Sequence, residues 1–227
     1  RKINLVLRRG KYGIIKLSNN MNILFHLGMS GNIQVKKVNN TNIKKHDHII
    51  IYLNSREKII YNDTRRFGFF ELIEDEYINN NIYLNKLGPE PLEKSFNYIY
   101  LKKEFKEKRT VIKNALMDQT LLAGLGNIYT CEALFMSKIL PTRLCCDLED
   151  KEIKLLVLAI KKVLRISIGV GGTSIQDYTS TSGKNGYFQI KLNVYGREDK
   201  ICVKCNNKIK KIVQSQRSTY YCAKCQN

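Results

Sequence analysis

A chain of 227 residues can form one large domain or two modest ones, each with its own core, which excludes a lone miniature module. Against 20 Asp and Glu stand 39 Lys and Arg, a formal net charge of +19 that attracts polyanions and makes nucleic acid the leading partner. Coding bias in an AT-rich genome, which inflates Lys along with Asn and Ile, is the competing explanation, but the same bias should have enriched Glu.

Residues 1 to about 75 carry seven short strand-like runs, INLVLR, YGIIKL, NILFHL, NIQVKKV, HIIIYL, KIIYN and GFFELI, divided by Asn, Ser and Gly. Seven runs at this spacing predict an all-β sandwich or barrel. The pattern changes near NKLGPEPLEKSFN, with the first two prolines, and helical spacing predicts helices over 99–117, 128–137 and 149–168. In the third, Ile153, Leu156, Val157, Ile160, Val163 and Leu164 form one apolar stripe, read as core packing, with Asp147 as the expected N-cap. A loop rich in Gly, Ser and Thr follows over 169–188, and a Cys-bounded ribbon ends the chain. The expected organisation is a β domain over 1–90, a helical domain over 91–188 and a ribbon over 189–227. No apolar run approaches the ~20 residues of a membrane span, and the opening Arg-Lys-Ile-Asn has no signal-peptide core, so a soluble, intracellular chain without a membrane partner is expected.

Two stretches of the β region place large or charged side chains beside glycine at expected bends, FHLGMSG and DTRRFGFF. Met29, Arg65 and Phe67 there are candidate wedges for the gap left when a base is extruded from a duplex, against a core role for Met29 and Phe67. Lys11 in RRGKYG is a candidate amine, with a solvated lysine as the alternative. His46 and His48 in KKHDHI are a weak metal pair and better read as satisfied or DNA-contacting histidines.

GLGN, residues 124–127, places two glycines before Asn127, where a helix is expected to open with Asn127 as its N-cap. The free N–H groups of a helix start suit a phosphate oxygen, although plain capping accounts for the turn equally. The preceding helix brings Lys108, Arg109 and Lys113 beside this turn, a helix-turn-helix variant suited to a DNA backbone. Cys202, Cys205, Cys222 and Cys225 form CxxC, a 16-residue spacer and CxxC, the spacing for tetrahedral coordination of one zinc. A disulfide framework is the alternative, disfavoured in an intracellular chain. Between the pairs two antiparallel strands are expected, with Gln214 to Arg217 at their turn, so that the metal stiffens a hairpin whose tip carries Arg217. Cys131, Cys145 and Cys146 lack ligand spacing.

Taken in order, RRGKY, HLGMSG, KHDH, DTRRFG, LGPEPL, GLGNIYTCEALF, PTR, GGT, GYF, VYGR and the CxxC ribbon resemble the formamidopyrimidine-DNA glycosylase family, from residue 1 to 227. The resemblance implies an α+β fold: an N-terminal β-sandwich, a helical domain with a helix-two-turn-helix, and a C-terminal zinc hairpin holding one structural Zn2+. It implies base-excision repair, with removal of oxidised purines such as 8-oxoguanine and formamidopyrimidines from damaged double-stranded DNA, followed by nicking at the abasic site. A relative preferring oxidised pyrimidines is the neighbouring possibility. By the same resemblance, Lys11 contacts phosphate and transfers protons in β-elimination, and Arg217 takes part in δ-elimination. His46, Arg65 and Lys108 match DNA-contacting positions, Met29, Arg65 and Phe67 fill the space of the flipped nucleotide, and Asn127 and Arg217 grip the flanking phosphates. The loop over 173–188 aligns with the segment that closes over the extruded base.

The family's nucleophile is an N-terminal proline followed by a glutamate acting as general acid and base, and neither opens this sequence, which aligns from a point inside the family's N-terminal domain. Two expectations follow: an enzyme whose catalytic N-terminal segment lies outside these 227 residues, and a truncated DNA-binding protein that has lost the chemistry. Thr64 also stands where the family commonly has proline. A monomer in the bacterial-type cytoplasm, at the nucleoid, or in an organelle is expected.

Overall fold

The computed structural model describes residues 1–39, 42–172 and 192–227; the expected capping loop over 173–188 lies outside the described residues. The chain divides into two compact units, the first built on Arg1–Asn85 and the second on Lys86–Gly169 with the described C-terminal residues.

All seven expected strands form in the first unit: β1 Ile3–Arg9, β2 Tyr12–Leu17, β3 Met21–His26, β4 Asn32–Lys37, β5 Asp47–Tyr52, β6 Glu57–Asn62 and β7 Phe69–Glu74, followed by a short helix α1, Asp75–Ile78. They pair as two sheets, β1-β2-β3-β7 and β4-β6-β5, antiparallel throughout. The chain changes sheet twice, from β3 to β4 and from β6 to β7. Register decides where those crossovers lie. His26 pairs with Phe69, and Asn32 pairs with Asn62, so both crossovers emerge at one end of the sandwich. Tyr12 pairs with His26, and the β1–β2 turn holding Lys11 therefore joins them there. Ile14, Leu24, Ile73 and Ile78 form a buried cluster, and Tyr61 of β6 packs on Phe70 of β7 with ring centroids 4.7 Å apart, tying one sheet to the other.

The second unit contains α2 Tyr98–Phe105, α3 Ile112–Met117, α4 Asn127–Met136, a 3-10 turn Cys145–Asp147, α5 Asp150–Gly169, and the ribbon strands β8 Lys210–Gln214 and β9 Arg217–Tyr221. Asn97 caps α2 by accepting the Tyr100 N–H at 3.0 Å. The single helix expected over 99–117 is two helices. Between them the chain turns at 106–107 and then runs beside 144–146: Thr110 and Lys108 carbonyls accept the Cys145 and Cys146 N–H groups, and Val111 bridges to Leu144. Asp147 ends the 3-10 turn instead of capping α5, and the Glu152 carboxylate accepts the Glu149 N–H at 2.9 Å, half of a capping box that begins two residues later. The expected stripe of α5 is core, with Ile153, Leu156, Val157, Ile160 and Val163 buried and Leu164 half-buried.

Candidate nucleic-acid interface and metal centre

The end of the sandwich where the crossovers emerge collects most of the β-region candidates. Its organiser is Asp63, which is fully buried. One carboxylate oxygen accepts the Ser30 hydroxyl at 2.5 Å and the Arg65 N–H at 3.2 Å; the other accepts the Tyr61 hydroxyl at 2.8 Å and the Gly68 N–H at 2.9 Å. Burial alone would raise the Asp63 carboxyl, but the bonds from Ser30, Gly68, Tyr61 and Arg65 outweigh it and hold it down at about 2. The Asp63 backbone ties in a third segment: its N–H donates to the His46 carbonyl at 3.0 Å, and its carbonyl lies 2.8 Å from a His48 ring nitrogen. The two histidines stand with ring centroids 6.3 Å apart, and no metal-holding group among the described residues includes them.

Two glycines let the crossovers touch backbone to backbone. Gly28 has φ +62°, and a Cβ there would meet the Gly68 nitrogen at 2.7 Å; a Cβ on Gly68 would meet the Tyr61 hydroxyl at 2.1 Å and the His26 carbonyl at 2.5 Å. This approach fixes the neighbouring residues at an exposed rim. Met29 is 65% exposed and Phe67 58%, and the Arg65 guanidinium sits 4.8 Å above the Phe67 ring. Two large apolar side chains left in water on a well-packed turn are poor core residues and good wedges. Lys11 is exposed in the adjoining β1–β2 turn. Sequence reasoning does not single out His26. It stacks on Phe69, meets Tyr12 at a tilt, and accepts the Gly28 N–H at 3.0 Å on Nδ1; burial, and then the Lys11 charge, push its pKa down. Its only sequence signal is its place immediately before LGMSG.

The second unit builds a different cluster. Gly88 N–H donates to the Gln119 carbonyl at 2.9 Å and Ala123 N–H to the Pro89 carbonyl at 3.1 Å, so LGPEP buttresses the link between α3 and α4. The Gln119 side chain staples that link, donating to Met117 and Leu125 carbonyls and accepting the Gly124 N–H. Gly126 is the N-cap of α4, and Asn127 is its first residue instead of the expected cap. Its side chain is committed elsewhere: Nδ2 donates to the Ser218 carbonyl at 2.8 Å, joining the helix start to the ribbon beside Arg217. The Asn127 Oδ1 is buried without a partner among the described residues. Lys113 of α3 is fully buried with its ammonium likewise unpartnered; burial lowers its pKa, the Cys131 thiol beside it works against that shift, and the Arg217 charge adds to it. Lys108 belongs to the link before α3.

The ribbon folds as expected. Gln214 pairs with Arg217 across Ser215 and Gln216, whose φ values of 46° and 58° make a two-residue turn, and Arg217 is exposed. Sulfurs of Cys202, Cys205, Cys222 and Cys225 all lie within 4.8 Å of one another, with pairs at 3.9 and 3.4 Å. Four thiolates around zinc at ~2.3 Å stand ~3.8 Å apart in a tetrahedron, so the cluster fits that ion. Cys202 and Cys222 pack with Cys131, Phe135, Val194 and Ile209, which seats the ribbon on α4. Buried Glu132 of α4 accepts the N–H groups of Asn193, Val194 and Tyr195, fixing the strand of chain that enters the ribbon.

Three family models match the chain. Residues 1–70 match the formamidopyrimidine-DNA glycosylase N-terminal domain, 87–179 the formamidopyrimidine-DNA glycosylase H2TH domain, and 200–227 the zinc finger found in FPG and IleRS. The formamidopyrimidine-DNA glycosylase of Rickettsia bellii is 44% identical over 221 residues, covering 97% of this chain and 80% of that protein. That of Bartonella tribocorum is 41% identical over 243 residues, covering 100% and 84%. A Lactococcus lactis FPG mutant, solved in complex with a Fapy-dG-containing DNA, superposes with a TM-score of 0.93 at 34% identity, covering 99% of this chain and 82% of that one. MutM (FPG) from Thermus thermophilus gives 0.92 at 33% identity, covering 100% and 83%.

Proposed function

The chain belongs to the formamidopyrimidine-DNA glycosylase family, and from that premise we infer that it acts in base-excision repair, removing oxidised purines from duplex DNA and nicking the abasic site. The observation that carries this reading is the exposed rim of Met29, Arg65 and Phe67, held by buried Asp63. Chemically it is a wedge: apolar surface to replace an extruded base, with a guanidinium beside it for the nucleotide left behind. The relatives' names and a neighbour bound to Fapy-dG-containing DNA support the lesion class.

Within this reading, Lys11 contacts the lesion phosphate and moves the proton in β-elimination, and His46, Arg65 and Lys108 position the backbone. Asn127 and Arg217 grip the phosphates flanking the lesion. Buried, unpartnered Lys113 supports an anion near that grip, because a phosphate there would offset the desolvation of its ammonium. Zinc on Cys202, Cys205, Cys222 and Cys225 supplies rigidity to the hairpin, not chemistry. The family's Schiff-base nucleophile is an N-terminal proline, and no residue of 1–227 is assigned that part. The segments 1–90, 91–188 and 189–227 divide wedge, grip with capping loop, and hairpin. The protein acts as a monomer, in a bacterial-type cytoplasm or an organelle; the bacterial sources of its relatives support the cytoplasm.

Excision from an 8-oxoguanine·cytosine duplex tests this, using the chain placed behind the family's Pro-Glu segment. Release of 8-oxoguanine and strand nicking are expected, falling by about a hundredfold or more in Lys11→Ala. Tight binding to the lesion duplex without base release would contradict the proposal.

A further inference from the structure

A cavity of about 510 Å3 opens in the second unit between α2, the 3-10 turn and the start of α5. Its floor is apolar and buried: Phe105, Cys145, Leu148 and Ile153 are 1%, 1%, 8% and 3% exposed. Its wall is cationic. Ile99, Lys102, Lys103 and Lys106 follow i, i+3, i+4, i+7 and so share one face of α2 and its C-cap. Three lysines stand against the one carboxylate in the lining, Asp150, which pairs with Lys102 at 2.7 Å. Among the described residues neither Lys103 nor Lys106 has an ion pair. Ile99, at the end of this row, is 76% exposed.

We propose that this cavity is a docking site for an acidic peptide segment of a partner protein, one large apolar side chain entering the slot and flanking carboxylates meeting Lys103 and Lys106. The chemistry selects that occupant. Seven residues of helix separate Ile99 from Lys106, a row of roughly 10 Å, which matches about three residues of extended peptide. A ligand with one anionic group would engage a single lysine of that row. Duplex DNA would meet the lysines through its phosphates but leave the apolar slot empty, because Phe105, the one aromatic ring in the lining, is buried and presents no face on which a base could stack. A neighbouring hollow shares Lys103 and Lys106 and adds Lys108 with two carboxylates, Glu104 and Glu107, against the one in the cavity, so an acidic peptide meets less like charge in the apolar slot. None of the residues lining the cavity belongs to the wedge, the phosphate grip or the zinc centre.

Fluorescence anisotropy with a labelled Asp-Asp-Phe-Asp-Asp peptide tests the proposal on the zinc-loaded protein, beside a probe of equal charge with Ala replacing Phe. Saturable binding of the Phe probe is expected, at least tenfold weaker for the Ala probe and for the double variant Lys103→Glu/Lys106→Glu, with circular dichroism unchanged. Exposed Ile99→Asp should weaken the Phe probe similarly. Affinity for a lesion duplex should stay within about twofold of that of a control carrying the same charge change at exposed lysines outside the cavity. Equal binding of the Phe and Ala probes would reduce the effect to the general charge of the protein and overturn the site. Displacement of the Phe probe by duplex DNA, with a matching loss of DNA affinity in the double variant, would assign the lysines to DNA and overturn it too.

Discussion

Asp63 shows how one side chain sets the geometry of the proposed wedge, which it does not itself form. Its two oxygens accept four donors, two of which are the backbone N–H groups of Arg65 and Gly68. In Asp63→Asn one side of the group becomes an NH2. The Ser30 and Tyr61 hydroxyls can turn and accept, but a backbone N–H cannot, so either Gly68 loses its acceptor or Arg65 is left with the Ser30 hydroxyl alone, at a cost of about 1–3 kcal/mol. Urea unfolding should register that loss at neutral pH, and affinity for an abasic-site duplex should fall with it. The acid limb adds a sign. The Asp63 pKa is lowered from 3.8 to about 2, so its stabilisation is complete above about pH 4 and is lost as pH falls toward 2. The stability gap between wild type and Asp63→Asn should therefore narrow across that window; a gap independent of pH would sink the assignment. Asn127 is a second case. Asn127→Ala removes the bond to the Ser218 carbonyl, worth about 1 kcal/mol of stability. Lesion-duplex affinity, measured by titration, should fall at least tenfold, because the same change frees the hairpin that presents Arg217.

At the scale of elements, the zinc ribbon is the least self-sufficient part of the second unit. Its strands are two runs of five residues, and a hairpin of that size is marginal in water without a staple. Chelation should therefore lower the melting temperature and abolish lesion binding, with both recovered on adding zinc; a metal-free protein that still binds the lesion duplex would contradict this. The elements also show where sequence reading works and where it stops. The seven strands were legible because apolar runs of strand length alternate with Asn, Ser and Gly breakers. The cysteine ribbon was legible from spacing alone. The break within 99–117 was not, because its cause is pairing of 108–111 with 144–146, a tertiary contact that helical periodicity cannot register. Asn127 looked like a cap for the same reason: its actual partner lies 91 residues further along the chain. Asp63, His26 and Lys113 acquire meaning only through burial and neighbours, which no local pattern encodes.

At the scale of the whole molecule, a net charge of +19 supplies the long-range attraction to DNA, and the two units supply what charge cannot. The proposed wedge in the first and the proposed phosphate grip in the second both present arginine on rigid turns, which suits fixed geometry more than general attraction. Wild-type affinity for any duplex should fall steeply with salt, while preference for a lesion duplex over an undamaged one should persist, because the wedge is mostly apolar. The central claim concerns chemistry as well as grip, and borohydride trapping tests it most directly. The chain is placed behind the family's Pro-Glu segment and incubated with an 8-oxoguanine·cytosine duplex in the presence of borohydride. A covalent protein–DNA adduct that disappears when the leading proline is blocked, and that forms poorly in Arg65→Ala, is the predicted result. Tight lesion binding with no trapped adduct would contradict the account.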